Sequence, residues 1–239
     1  MRSTSSARDS LKTLRKRPGL VQVAGIHDAE EARAAIACGV RWLGFPLRLP
    51  VHAEDLTEAE AAEVIHGLPE GVHAVLITYL DRAPDILAFC RTLGVSAVQL
   101  HGDISAQEVE SLRTAAPELA LIKSLVVGLH ANETLFGEAK TLSPWVDAFI
   151  TDTFDPSTGA SGATGRTHDW AISRKVVEQS PRPVILAGGL TPENVAGAVR
   201  EVRPAGVDVH TGVEDASGRK CPKLLGRFMD EVRLGYAPD

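Results

Sequence analysis

The chain has 239 residues, 44% of them hydrophobic and 23% charged, with a formal net charge of −6 and a pI near 5.8. This is enough apolar material for one large α/β domain, and the acidity argues against non-specific nucleic-acid binding, which depends on Lys and Arg neutralising phosphates. Cys38, Cys90 and Cys221 are odd in number and widely spaced, so neither a disulfide framework nor a C-x-x-C metal site is supported. No apolar run approaches the roughly 18 residues of a membrane span, and the first twenty residues lack the apolar centre of a signal peptide. A cytoplasmic protein that engages neither membrane nor nucleic acid is expected.

Residues 1–19 carry six basic residues (Arg2, Arg8, Lys12, Arg15, Lys16 and Arg17) against one acid, Asp9. They read as a basic, flexible, solvated extension, with an anion-binding arm or subunit contact as the other reading. From Leu20 onward, through residues 20–239, short apolar or β-branched runs alternate with segments of helical period. The expected strands are Leu20–Ala24, Trp42–Phe45, Val72–Ile77, Ala97–Leu100, Ala120–Val126, Ala148–Thr151, Val184–Ala187 and Gly206–His210. Asp28, Thr57 and Ser105 stand where helix N-caps belong, and Thr191-Pro-Glu-Asn offers another helix start. Gly39 and Gly94 fit left-handed C-terminal caps.

Eight strand-plus-helix units in one domain match a (β/α)8 barrel, whose parallel strands are buried on both faces. The competing architecture is a doubly wound open sheet. Against it, the first strand is followed by no G-x-G-x-x-G; Val21-Gln-Val-Ala-Gly-Ile-His stands there instead.

A barrel puts its chemistry at the carboxyl ends of the strands. Those ends supply Gln22, Arg48, His101, Lys123, Asp152, Gly188, Gly189, His210 and Thr211. Gly188-Gly189, Thr211-Gly212 and the loop around Gly165 are three turns in which backbone N–H groups can approach an anion, and together they point to phosphate. Asp152 is either an ion-paired structural acid or a general acid or base tuned by its site. Lys123 can neutralise a carboxylate, bind phosphate or form a Schiff base. His101 and His210 are either structural or, with Asp152, a weakly supported metal triad; the reading adopted has no metal and no cofactor.

Ala97-Val-Gln-Leu-His-Gly-Asp, Asp147-Ala-Phe-Ile-Thr-Asp-Thr, Gly162-Ala-Thr-Gly-Arg-Thr-His-Asp-Trp, Pro183-Val-Ile-Leu-Ala-Gly-Gly-Leu-Thr-Pro-Glu-Asn-Val and Arg203-Pro-Ala-Gly-Val-Asp-Val-His-Thr-Gly-Val-Glu closely resemble, in this order, the phosphoribosylanthranilate isomerases of tryptophan biosynthesis. The resemblance implies the same barrel, an Amadori rearrangement with Asp152 as general acid, and a substrate phosphate held around Gly165, Gly188 and Gly212. That family carries its general base as the cysteine of a Lys-Ile-Cys-Gly-Ile-Thr strand. Gln22-Val-Ala-Gly-Ile-His stands here, so Ala24 replaces the base and Gln22 the lysine. Arg48, with His52 nearby, follows strand two where the family has Ser-Pro-Arg-Tyr, and His210 replaces a small hydroxyl residue. His210 or His27 is the expected substitute base, since imidazole suits that task near neutral pH.

The function expected is therefore isomerase-type acid/base chemistry on a phosphorylated sugar or sugar-amine, by a monomer or homodimer. A phosphosugar-binding paralogue that has lost catalysis is the alternative from another class. An aldolase or lyase using Lys123 is a lesser one.

Overall fold

Residues 6–50, 54–155, 160–161 and 167–238 are described by the structure, a computed structural model. Eight parallel strands close into a barrel: β1 (Leu20–Ala24), β2 (Trp42–Pro46), β3 (His73–Thr78), β4 (Ala97–Leu100), β5 (Ala120–Val127), β6 (Ala148–Asp155), β8 (Val184–Leu186) and β9 (Gly206–Val209). The ring is sealed where β9 pairs with β1, with Leu20 opposite Gly206 and Gln22 opposite Asp208. β7 (Ala160–Ser161) is a short antiparallel partner of the end of β6, absent from the sequence reading.

The alternation of each strand divides the apolar residues into two clusters. Val21, Val23, Leu43, Leu76, Val98, Leu121, Phe149, Leu186 and Val207 face the helices and join one cluster with them. Leu20, Ala24, Trp42, Val75, Ile77, Ala97, Ile122, Ile150, Ile185 and Ala187 face inward and form the other. Both faces of a parallel strand are thereby buried, which is why the strands read as nearly continuous apolar runs.

The helix starts follow the capping chemistry. Asp28 accepts from the N–H groups of Glu30 and Glu31 ahead of α2 (Ala29–Ala37). Thr57 and Glu60 form a reciprocal capping box at α3 (Glu58–His66), and Ser105 caps α5 (Ala106–Ala115). Gly94 closes α4 (Ala83–Leu93) at φ 74°, in the left-handed region where a side chain would be strained. Thr191 behaves otherwise than expected: it accepts from Glu193 in a turn, and α8 (Val195–Val202) begins four residues later.

The N-terminal segment also departs from the expectation of a flexible, solvated arm. Ala7–Thr13 form a helix, α1, capped by Ser6, and Ala7, Leu11 and Leu14 are buried in the inner cluster. The spacing 7, 11, 14 is one helical face. That cluster includes Leu20, Trp42, Ala97, Ala120 and Ala148 at the amino ends of the strands, and α1 packs on β5, so α1 closes the end of the barrel away from the mouth. The basic residues around that face hid the apolar stripe. Arg8 Nε also donates to Asp147 Oδ1 at 3.0 Å, while Asp147 Oδ2 accepts from Arg113 Nη2 at 2.6 Å and Leu121 N at 3.0 Å.

At the other end, Thr153 Oγ1 is hydrogen-bonded to His168 Nδ1 at 2.9 Å, and His168 Nε2 to Ser173 Oγ at 2.5 Å, tying β6 to the start of α7 (Trp170–Gln179). Burial pulls the His168 imidazole down to about 4.

Leu11 is fully buried, so Leu11→Ala is expected to lower unfolding stability by about 2–5 kcal/mol in chemical denaturation. Because His168 titrates lower folded than unfolded, its contribution to stability is present above about 6.5 and lost as the pH falls towards about 4. The melting temperature should therefore decline across that window, and His168→Gln should flatten the decline.

Candidate active site

The inner face of the barrel turns from apolar to polar towards the carboxyl ends. Leu20, Ala97, Ile122 and Ile150 belong to the apolar part. Two residues further along their strands stand Gln22, Gln99, Ser124 and Asp152, and β9 adds Asp208. All are buried. Gln22 Nε2 donates to Gln99 Oε1 at 2.9 Å, Gln99 Nε2 donates to Ser124 Oγ at 3.3 Å, and Ser124 Oγ is also bonded to His101 Nδ1 at 2.9 Å. The His101 ring lies against Tyr79, with centroids 4.7 Å apart.

Asp152 ends the polar floor on β6. Burial raises its carboxyl above the usual range, opposed by charge interaction with His101 and by the Thr153 N–H that donates to Oδ1 at 2.8 Å. Burial likewise pushes Asp208 up to about 7; the negative charge of Asp152 adds to this, and Gln22 and Lys220 oppose it. Among the described residues, Asp208 Oδ1 and Gln22 Oε1 are buried with no hydrogen-bond partner. A carboxyl raised by burial, at the carboxyl end of a barrel strand, is suited to act as a general acid.

Above this floor β1 ends at Ala24, whose methyl group cannot accept a proton. The His210 ring reaches over the same strand end: a Cβ on Gly25, which sits at φ 70°, would collide with the imidazole. His210 Nε2 is 3.6 Å from Glu214 Oε1, and Glu214 is paired with Lys220. Lys220 Nζ also donates to the His210 carbonyl at 3.2 Å.

His27 sits differently. Its Nδ1 lies 3.0 Å from Glu31 Oε2 and its Nε2 3.1 Å from Asp55 Oδ1, so both ring nitrogens face carboxylates and neither is left for a substrate proton. Two further expectations are corrected. Lys123 points away from the mouth, donating to the Ser124 carbonyl at 2.7 Å and pairing with Glu138 on α6 (Asn132–Leu142) at 3.1 Å. It lies on the helix-facing side of β5 by the two-residue alternation, which removes it as a Schiff-base or phosphate group. Arg48 is likewise held by the helices, with Nε 2.8 Å from Glu58 Oε1 and its guanidinium 3.8 Å above the Phe89 ring.

The glycine turns come together. Gly188 and Gly189 take φ 99° and 61°, and Gly188 has no side chain where Thr153 and His168 approach. Gly212, in the 3-10 turn Thr211–Val213, lies so close to the Leu190 carbonyl that a Cβ would not fit. The loops after β8 and β9 thus pack backbone to backbone. Among the described residues, the amides of Gly188, Gly189 and Gly212 donate no backbone hydrogen bond between loops or elements. Gly165 and His52 lie outside the described residues. No group of three His, Cys, Asp or Glu that could hold a metal ion is found among the described residues, and no described helix is long and apolar enough to cross a membrane.

Asp208, Gln99, Ser124 and Tyr79 were missed by the sequence reading. The signal for Asp208 was an acid between Val207 and Val209 in a buried strand, on the same face as His210.

The family profile described as N-(5'-phosphoribosyl)anthranilate (PRA) isomerase matches residues 21–231. An N-(5'-phosphoribosyl)anthranilate isomerase 2 of Methanosarcina mazei is 40% identical over 221 residues, covering 90% of this chain and 95% of its own. The isomerase of Haloferax volcanii is 37% identical, covering 87% and 90%. Among solved structures, phosphoribosyl anthranilate isomerase from Thermotoga maritima superposes with a TM-score of 0.76 at 28% identity, covering 90% of this chain and 98% of that one. An isomerase in complex with reduced 1-(o-carboxyphenylamino)-1-deoxyribulose 5-phosphate superposes at 0.74, with 26% identity and the same coverage. Profile, relatives and barrel agree over the region that carries the polar floor and the glycine turns: this chain belongs to the phosphoribosylanthranilate isomerase family.

Proposed function

We propose that the chain isomerises a phosphoribosyl-amine, with phosphoribosylanthranilate as its first candidate substrate, using Asp152 as the acid and His210 as the base. The observation that carries the reading is the buried Asp152 carboxyl, raised by its surroundings at the end of β6, in a mouth that also holds the paired glycine turns of β8 and β9. The phosphate binds at the backbone amides around Gly188, Gly189 and Gly212, with Thr211 beside them. Helix and turn amides favour an anion there without a charged side chain, which fits a site from which Lys123 and Arg48 are directed away.

With the phosphate anchored, Asp152 donates its proton to the ribose ring oxygen. The bond from that oxygen to C1 breaks, and the nitrogen lone pair forms the C=N bond of an iminium. His210 then takes the C2 proton. The electrons of that C–H bond move into a C1–C2 double bond as those of the C=N bond return to nitrogen; the resulting enolamine then takes a proton at C1 from the His210 imidazolium while its 2-hydroxyl gives one up to the Asp152 carboxylate, leaving the C2 ketone of the ketose. His210 stands over Gly25, the residue after Ala24, so the proton is removed on the side of the mouth where the resemblance places the family's cysteine. Neutral imidazole serves this step because its ordinary pKa lies near working pH.

Purified protein is expected to convert phosphoribosylanthranilate to its ketose and to restore growth of a tryptophan auxotroph lacking the isomerase. Asp152→Asn and His210→Ala should each lower kcat by about 10²–10⁴-fold, while His27→Ala should leave kcat within a few-fold of wild type. Equal rates for His210→Ala and wild type would exclude this base. An inactive wild type activated by Ala24→Cys would show a retained site without a base. Protein that stays inactive in both forms but melts higher with ribose 5-phosphate would instead be a phosphosugar-binding paralogue. Gly212→Ala should raise KM far more than it lowers kcat, because the added methyl separates the two anion-binding turns.

A further inference from the structure

Asp208 has no part in the steps above, yet its place in the barrel ties it to Asp152. Thr151 is paired with Leu186 and Leu186 with Val207. Continuing that register by one residue puts Asp152, Ala187 and Asp208 at one level. Adjacent strands are about 4.8 Å apart, so the two aspartate backbones are separated by about two spacings. Both side chains point inward on a closed, curved sheet, and the charge of Asp152 is felt at Asp208. Gln22 stands level with Asp208 on the other side.

The hydrogen bonds around them come up short by one donor. Gln22 spends an N–H on Gln99 and its side chain is also hydrogen-bonded to Asp208, and Gln99 spends an N–H on Ser124. Asp152 Oδ1 accepts from the Thr153 amide. No protein donor among the described residues reaches Asp208 Oδ1. A buried acceptor without a donor is costly, and a proton on the carboxyl pair lowers that cost. Two carboxylates buried at one level of a closed barrel do not both ionise at neutral pH.

We propose that Asp208 is a positioning residue for Asp152: the two carboxyls hold one proton between them, so that a carboxylic acid stands ready beneath the ring oxygen at neutral pH. The groups that face the pair are few. His101 and Lys220 bring positive charge or the capacity for it, and Tyr79, Gln22 and the Thr153 amide are neutral. Burial outweighs the positive groups for both acids. After Asp152 has given up its proton, the ionised pair is repelled from within, and this repulsion draws a proton back to complete the cycle. The catalytic consequence rests on the role proposed for Asp152, whereas the shared proton is a property of the free protein.

Carbon-13 NMR of protein labelled at the aspartate carboxyl carbons tests this without substrate. In wild type, one carboxyl of the pair should stay protonated up to about pH 7. Asp208→Asn should move the Asp152 midpoint down by about one unit or more, because a negative neighbour has gone. Asp152→Asn should lower the Asp208 midpoint in the same way, and it supplies the answer if Asp208→Asn does not fold. Where turnover is measurable, the alkaline limb of kcat/KM should shift to lower pH in Asp208→Asn. An Asp152 midpoint unmoved by Asp208→Asn overturns the proposal whatever happens to the rate. A moved midpoint in a protein that does not turn over phosphoribosylanthranilate would support the shared proton and refute only the proposed function.

Discussion

Two carboxyls on the inner face of a closed barrel set the terms for everything around them. An ionised carboxylate in such a place is expensive unless donors or cations surround it, and the donors here are a few amide groups, a hydroxyl and an imidazole. The polar floor answers the problem in part: Gln22, Gln99 and Ser124 pass one hydrogen bond across the barrel to His101, which in turn favours the charged form of Asp152. The remaining cost is met by keeping a proton. A barrel filled with Leu, Ile and Val throughout would be simpler to stabilise, and it would have no acid to offer a sugar ring. The strained electrostatics and the chemistry have the same source.

This arrangement is tolerable because stability is supplied elsewhere. The end opposite the mouth is closed by the apolar face of α1, and Asp147 there is met by two guanidinium groups and a backbone amide. Asp147 directly precedes β6 and Asp152 lies on it, five residues apart, yet the first is met by two guanidinium groups whereas burial raises the second. The difference is one of place. Asp147 sits where the closing helix and α5 can supply arginines, and Asp152 sits where a substrate must enter. Barrel folds separate these two demands along the strand axis, and this one does so within a single strand.

Much of that was legible in the sequence. The β-branched runs placed the strands to within one residue because each strand is buried on both faces, except that β6 runs four residues further than expected, to Asp155, and Asp28, Thr57 and Ser105 marked helix starts because unsatisfied N–H groups need an acceptor nearby. Asp152, Gly188 and Gly212 were readable from the ends of strands. The direction of a side chain at the rim was not. Lys123 and Arg48 appear at the right positions along the chain, but Glu138 and Glu58 draw them into the helix layer, and a pairing between β5 and α6 leaves no trace in local pattern. His27 was lost for the same reason, to Glu31 and Asp55. The helix α1 was concealed by composition, since three buried residues at helical spacing are outnumbered by the charges around them.

The exchange at the end of β1 shows how several of these constraints act together. A cysteine to alanine change alone removes a proton acceptor and leaves space. In this chain the space is bordered by Gly25, whose lack of a Cβ admits the His210 ring, and by Gly44, where any Cβ would press on Ala24. The ring arrives from β9 because the closed barrel makes β9 the neighbour of β1, a relation invisible to a reading that treats the two ends of the sequence as distant. Glu214, held by the buried Lys220, stands behind the imidazole at 3.6 Å. A base that gains a proton while a nearby acid loses one keeps the net charge of the mouth constant. In a site this poor in compensating charge, that balance would favour the proposed exchange of a thiol on β1 for an imidazole on β9.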